Sequence, residues 1–153
     1  IKSFVLGGHG DSMVAMLGLT EVEGKKINEL IKEGKIKKEK IDQIIERTKK
    51  GGAEIVKYLE KGSAFYAPAA SGVEMAQSYL QDLKKQLPCA AYLNGEYGVK
   101  DLYAGVPVVI GSGGVEKVVE LELTPQEKDN FEKSIQTVRD LFENAQKIDP
   151  SLK

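Results

Sequence analysis

The chain contains one histidine, His9, which lies in the glycine-rich segment FVLGGHGDSM, residues 4–13. Imidazole titrates close to neutral pH, so a histidine can donate or accept a proton during catalysis. The flanking glycines let the backbone turn sharply and leave the imidazole facing a cavity. A lone histidine near an apolar strand is alternatively a core residue whose ring nitrogens are hydrogen-bonded. The glycines favour the first interpretation, a general acid or base.

A catalytic histidine needs a carboxylate that fixes its tautomer. Asp11 is close to His9 in the sequence. If the strand continues through residue 11, both side chains project on the same side, and a short aspartate side chain reaches a neighbouring imidazole poorly. We therefore expect the carboxylate to come from elsewhere in the protein.

Three other kinds of site are disfavoured by the residue spacing. In VVIGSGGVEKVVE, a dinucleotide fingerprint that starts at Gly111 requires glycine where Glu116 stands, so this segment is predicted to be a hairpin loop. One histidine and one cysteine do not supply the ligand spacing of a zinc site, and no metal is predicted. Ser12 and Cys89 lack a hydrolase signature. Cys89 is expected to be a small buried hydrophobic residue.

Hydrophobic periodicity predicts the elements that position His9. Residues 3–8 form a short apolar run typical of a buried strand, and residues 13–22 predict one or two more. A short helix is expected to end at Gly34. Apolar residues then recur every three or four positions over residues 41–59, which predicts one long helix. Residues 62–85 predict another helix, with an apolar stripe and with first turns that are tightly packed or kinked at Pro68.

Two adjacent glycines, Gly51 and Gly52, fall inside the first of these long predicted helices. Two glycines in a helix interior cost about 2 kcal/mol relative to alanines. A close packing contact would explain them, as would a close approach of the backbone to a bound small molecule.

The C-terminal half begins with the period of strands and ends in a helix. Its strands predict an antiparallel meander that extends to residue 123, and Asn94 and Gly95 predict a tight hairpin. Thr124 and Glu127 form a capping-box pattern before a long amphipathic helix. Separate runs of helices and antiparallel strands indicate an α+β fold, with antiparallel strands packed against long helices.

Composition limits the function classes. The 153 residues suffice for one domain, and 41% hydrophobic residues, 29% charged residues and a net charge of −1 are typical of a soluble globular protein. The chain has no excess of lysine and arginine over acidic residues that would attract nucleic acid. Its apolar runs are far shorter than the roughly 20 residues of a membrane span. A lone cysteine suits a reducing compartment, so we expect a cytoplasmic protein with neither a nucleic-acid nor a membrane partner.

Four segments taken together resemble the C-terminal, substrate-binding half of the lactate/malate dehydrogenase family, on its malate dehydrogenase side. The match runs from residue 3 to about residue 145. The segments are FVLGGHGDSMVAM, RTKKGGAEIV, GSAFYAPAAS and LPCAAYLNGEYGVKDLYAGVPVVIGSGGVE.

The resemblance implies a role for four residues. His9 matches the family's catalytic histidine, which protonates the carbonyl oxygen of oxaloacetate while NADH delivers hydride and takes the proton back from malate. Gly52 and Ala64 match positions beside the substrate, and Pro68 matches one near the nicotinamide ring. The reaction implied is the NAD-dependent interconversion of malate and oxaloacetate, a step of the tricarboxylic acid cycle.

The resemblance also implies the domain organisation. Residues 1–153 correspond to the C-terminal substrate-binding and catalytic domain, and we expect the NAD-binding Rossmann domain, which binds most of the cofactor, to be absent from this chain. The two arginines, Arg47 and Arg139, match no substrate-binding arginine of the family. We therefore expect the chain alone to be inactive, and the full-length enzyme to be a homodimer or homotetramer.

Two alternatives remain. The chain is an L-lactate dehydrogenase half if the absent loop that selects the substrate carries a neutral residue in place of an arginine. It is a non-catalytic, self-associating module if an exposed apolar face serves only for assembly.

Overall fold

The structure is a computed structural model that describes residues 1–152. Its strands are β1 (Val5–Gly7), β2 (Met13–Ala15), β3 (Glu21–Val22), β4 (Lys25–Lys26), β5 (Lys85–Asn94), β6 (Lys100–Gly111) and β7 (Gly114–Val118). Its helices are α1 (Ile27–Lys32), α2 (Lys38–Lys49), α3 (Gly51–Leu59), α4 (Tyr66–Leu80) and α5 (Pro125–Ile148).

One antiparallel sheet carries the core. Its strand order is β2-β1-β6-β5, and β7 pairs with β6. The sheet buries alternate side chains of its two long strands, as the period-2 pattern requires. This arrangement confirms the predicted α+β fold. The least exposed core residues are Leu6, Met16, Leu93, Val106, Val108 and Phe131.

Helix α5 packs on the sheet through its N-terminal half. The predicted capping box is present: the Glu127 N–H donates to the Thr124 Oγ1 at 3.3 Å, and the Thr124 N–H donates to the Glu127 carboxylate at 3.0 Å. One turn further on, Phe131 and Ile135 are buried in the core. The cap satisfies N–H groups at the start of α5, and the two buried side chains hold the helix against the sheet.

The long helix predicted over residues 41–59 is wrong. The backbone breaks at Lys50 (φ −93°, ψ 3°), so α2 and α3 are separate helices, and Gly51 and Gly52 are the first two residues of α3. The propensity cost of a helix interior therefore does not apply to them. A Cβ built on either glycine meets no described atom within 4 Å. Close packing against residues 1–152 therefore does not explain why these two positions are glycines.

Helix α4 is shorter than predicted, and Pro68 lies in its first turn. The N–H groups of a first turn have no intrahelical acceptor, so proline fits there and causes no kink. The apolar stripe predicted for this helix is exposed, since Val73 is 68% and Leu80 79% accessible. The stripe is therefore not part of the core that residues 1–152 form.

The connections of the meander differ in detail from the prediction. The predicted hairpin loop between β6 and β7 is confirmed, with Gly111 paired to Gly114. Residues 95–99 join β5 to β6 and include the 3₁₀ turn Glu96–Gly98, so the tight hairpin predicted at Asn94 and Gly95 is wrong. The last strand ends at Val118, before the predicted residue 123.

Among the described helices, none combines the length and the apolar character that a membrane crossing requires. Residues 1–152 also contain no group of three or more histidine, cysteine, aspartate or glutamate side chains that could hold a metal ion.

Candidate functional site

His9 lies in a tight turn between two paired strands, and we call residues 7–12 the His9 turn. Strand β1 ends at Gly7, the segment Gly10–Ser12 forms a 3₁₀ turn, and the chain returns as β2. The Ser12 hydroxyl donates to the His9 carbonyl at 3.1 Å, and the His9 side chain is exposed. The strand does not continue through Asp11, so the premise that residues 9 and 11 share one face of a strand is wrong.

Glycines make the His9 turn possible, as the sequence predicted. Gly7 has φ +89°, a left-handed conformation that side chains rarely adopt, and a Cβ there would overlap the Ser134 Oγ. Gly7 pairs with Gly105 of β6. A Cβ built on Gly105 would lie 2.7 Å from the Gly7 carbonyl oxygen. The turn therefore sits in direct contact with both the sheet and α5.

A groove of about 480 Å³ lies beside His9. Besides His9 and its strand, it is lined by Pro88, Cys89, Ala90, Tyr103, Ala104, Gly105, Val138 and Leu141. None of the described residues that line this groove is an arginine, a lysine, an aspartate or a glutamate. The groove is thus an apolar surface with one imidazole at its edge.

No carboxylate forms an ion pair with His9 among residues 1–152. The expectation that its partner comes from elsewhere in the protein stays a prediction.

The other predicted site residues lie on the α3 and α4 side of the chain. Gly52 is exposed in the first turn of α3, Ala64 is half-buried just before α4, and Pro68 is exposed in the first turn of α4. None of the three lines the groove beside His9. Their roles beside substrate and nicotinamide stay predictions.

Both arginines are engaged away from the groove. Arg47 donates two hydrogen bonds to the Glu54 carboxylate, at 3.0 and 2.8 Å. These bonds raise the pKa of Arg47 and lower the pKa of Glu54. Arg139 donates to the Lys100 carbonyl at 3.4 Å. Neither side chain is available beside His9 as a clamp for a substrate carboxylate.

The glycine-rich turn after β6 already binds carboxylates. The Ser112 N–H donates to Asp82 at 2.8 Å, and the Gly113 N–H donates to Glu116 at 3.2 Å. The Lys84 ammonium also pairs with both carboxylates. N–H groups that are saturated in this way do not cradle a phosphate, which agrees with the hairpin interpretation.

Cys89 is half-buried, so the expectation of a small buried hydrophobic residue is wrong. Its thiol donates to the Met75 sulfur at 3.3 Å, and desolvation raises the pKa of the thiol. A thiol with a raised pKa carries little thiolate at neutral pH, so Cys89 is a poor nucleophile.

Ser134 contacts the His9 turn and was missed in the sequence. Its hydroxyl accepts a hydrogen bond from the Gly8 N–H at 2.9 Å. The available signal was a small polar residue on the apolar face of α5, between Phe131 and Ile135, where a hydroxyl needs a partner when buried.

Comparison with known proteins agrees with this architecture. Residues 1–148 match the model of the family described as lactate/malate dehydrogenase, alpha/beta C-terminal domain. The chain belongs to this family. The resemblance seen in the four sequence segments is therefore confirmed.

Individual relatives of this dehydrogenase domain carry both activities in their names. A malate dehydrogenase of Pelagibacter ubique (strain HTCC1062) is 60% identical over 152 residues, which cover 99% of this chain and 48% of the relative. Cryptosporidium parvum malate dehydrogenase is 45% identical with a TM-score of 0.88, over 94% of this chain and 46% of that one. Eimeria maxima lactate dehydrogenase, solved with NADH and oxamate, is 40% identical with a TM-score of 0.91, over 97% of this chain and 46% of that one. The chain spans about half the length of these relatives.

Proposed function

We propose that this chain is the C-terminal catalytic half of an NAD-dependent malate dehydrogenase, in which His9 transfers the proton. The observation that carries the proposal is an exposed imidazole, held on a glycine turn in contact with the sheet and α5, at the edge of an apolar groove. The 60% identity to a protein named malate dehydrogenase supports malate as the substrate.

His9 acts on the oxygen atom of the substrate. In the reductive direction its protonated imidazole donates a proton to the carbonyl oxygen of oxaloacetate, where negative charge develops. In the oxidative direction the neutral imidazole accepts the hydroxyl proton of malate. The turn fixes the backbone that carries the imidazole before reaction, so little backbone reorganisation is needed as the charge forms. The cofactor, when bound, would supply the hydride as NADH in the reductive direction and accept it as NAD⁺ in the oxidative direction.

The residues of this chain suit one end of the cofactor. Gly52 has open space around its Cα, and Pro68 is exposed, which suits contact with substrate and a nicotinamide ring. The glycine turn after β6 is bound to carboxylates and does not suit the pyrophosphate. We therefore assign most of the NAD binding to an N-terminal Rossmann domain of the full-length enzyme.

The choice between malate and lactate depends on a cation outside this chain. A dicarboxylate substrate needs a partner for its second carboxylate, and an arginine gives a bidentate one. Both arginines of this chain are engaged elsewhere, and among residues 1–152 no lysine or arginine lines the groove beside His9. For the same reason we propose that the chain alone is inactive.

The experiment compares malate and lactate as substrates of the intact polypeptide that contains this chain, with NAD in excess. We expect kcat/KM for malate to exceed that for lactate by about 100-fold or more, because a site with a carboxylate clamp discriminates strongly against substrates that leave it unpaired. A preference for lactate would instead assign the chain to a lactate dehydrogenase.

A self-associating module is the second candidate, and the exposed apolar side chains of α3 and α4 favour it. Tyr58, Tyr66, Val73 and Leu80 are all largely exposed. Such faces also suit the subunit contacts of a homodimeric or homotetrameric enzyme. An intact polypeptide that associates but oxidises neither malate nor lactate would favour the module over the enzyme.

A further inference from the structure

We propose that Ser134 is a positioning residue for His9, a role that rests on the proposed function. Its hydroxyl fixes the backbone of the His9 turn and thereby sets where the imidazole lies beside the substrate.

The Ser134 hydroxyl makes two hydrogen bonds, one on each side of His9. It accepts from the Gly8 N–H at 2.9 Å, and it donates to the Ser12 carbonyl at 2.5 Å. Gly8 directly precedes His9, and Ser12 ends the 3₁₀ turn that follows it. One side chain from α5 thus connects both ends of the segment that carries the imidazole.

The surroundings make the Ser134 hydroxyl a fixed point. Ser134 is 4% exposed, and α5 is anchored in the core by Phe131 and Ile135 on either side of it. Gly7 packs so closely on Ser134 that a Cβ at position 7 would overlap its hydroxyl. A shift of the His9 turn therefore requires either a shift of α5 or the loss of these hydrogen bonds.

Removal of the hydroxyl would leave two backbone groups of the turn without their partner. An N–H or a carbonyl that loses its partner in a partly buried site carries a desolvation cost, so the turn relaxes toward other partners. Small displacements of a catalytic group are costly, since a 1 Å misplacement lowers rates about 100-fold. Ser134 does not line the groove beside His9, so its effect must pass through the turn.

The test compares Ser134→Ala with Thr137→Ala in the intact polypeptide, with the wild type and His9→Gln measured alongside. Thr137 lies one turn along α5, and among the residues that the structure describes its hydroxyl bonds only to the Lys133 carbonyl of its own helix, at 3.1 Å. We expect Ser134→Ala to lower kcat for malate about 10- to 100-fold with KM near the wild-type value. The reason is that the variant misplaces the imidazole that transfers the proton and leaves the residues that bind the substrate in place. Thr137→Ala keeps the wild-type kcat.

A folded Ser134→Ala variant with wild-type kcat would overturn the proposal, and so would an equal loss in Thr137→Ala. If Ser134→Ala does not fold, Ser134→Cys is measured in its place. A thiol keeps most of the side-chain volume but is a weak hydrogen-bond donor, so kcat must still fall. A wild-type kcat in this variant overturns the proposal.

The same assays separate this proposal from the proposed function. A wild-type polypeptide that does not turn over malate contradicts the proposed function. Hydrogen exchange of the peptide that contains residues 4–13 then still tests whether Ser134 fixes the His9 turn. Ser134→Ala must accelerate exchange in this peptide, and an unchanged exchange rate overturns the positioning role of Ser134.

Discussion

At the residue scale, the site depends on a glycine close to His9 in the chain that allows both a left-handed backbone and a close contact. Gly7, the first residue of the His9 turn, adopts a left-handed conformation, and it lies against Ser134 and Gly105 without room for a side chain. Two separate physical requirements, a positive φ and a close contact, therefore meet at this position. They can be told apart by comparison with a glycine that has the first requirement alone.

Gly34 is that comparison, because it has φ +70° and a Cβ built there meets nothing within 4 Å. We expect Gly34→Ala to lower the free energy of unfolding by about 1–2 kcal/mol, the cost of the left-handed conformation. Gly7→Ala must lower it further, because its Cβ also overlaps the Ser134 side chain. Urea denaturation of both variants measures the difference, and equal losses would show that the contact at Gly7 is not tight.

The sequence predicted the turn at His9 but not the side chain that fixes it. Glycines on both sides of a histidine indicate a sharp turn, whichever fold surrounds them. The bonds of Ser134 join residues 126 and 122 positions apart. Local patterns contain no information on which distant backbone a buried hydroxyl will meet, so Ser134 was visible only as an unexplained polar residue on an apolar face.

At the element scale, helical periodicity predicted residues 41–59 as one helix because it does not register a short break. Lys50 (φ −93°, ψ 3°) departs from helical dihedral angles by only about 30° in φ and about 45° in ψ, so apolar positions keep nearly the same spacing on both sides. The capping box of α5 was predictable because both of its partners lie within four residues. The capping box was thus predicted from local residue types, whereas the break at Lys50 and the longer connection over residues 95–99 were not.

The β6–β7 hairpin gives a pH-dependent prediction. The Lys84 ammonium, followed by the Gly113 N–H, holds the pKa of Glu116 below its usual value. A lowered folded-state pKa stabilises the protein above the ordinary glutamate range, and this contribution is lost as the pH falls through the lowered value. We expect Glu116→Gln to reduce the urea midpoint at pH 7 and to have progressively less effect in acid.

Glu143→Gln is the control for this prediction, because Glu143 is exposed on α5. It should leave the urea midpoint nearly unchanged at both pH values. An effect of Glu116→Gln that is the same at neutral and acid pH would show that the ion pair and the Gly113 hydrogen bond do not stabilise the hairpin.

At the scale of the whole molecule, the chain has a well-packed sheet and α5 beside helices with exposed apolar faces. The core lies between the sheet and α5, where Phe131 and Val106 are almost fully buried. Helices α3 and α4, which carry the predicted substrate and nicotinamide positions, leave Tyr58 and Leu80 exposed. Periodicity predicted an apolar stripe on α4 correctly, but it cannot tell whether a stripe packs on its own chain or on another surface.

The proton-transfer role of His9 is tested by the kcat of His9→Gln with malate, measured in the intact polypeptide. Because His9 is exposed, the substitution should leave the core intact, and circular dichroism and the thermal midpoint check this. Glutamine cannot exchange a proton with the substrate oxygen, so we expect kcat to fall about 100-fold or more. A folded His9→Gln enzyme with the kcat of the wild type would show that His9 does not transfer the proton.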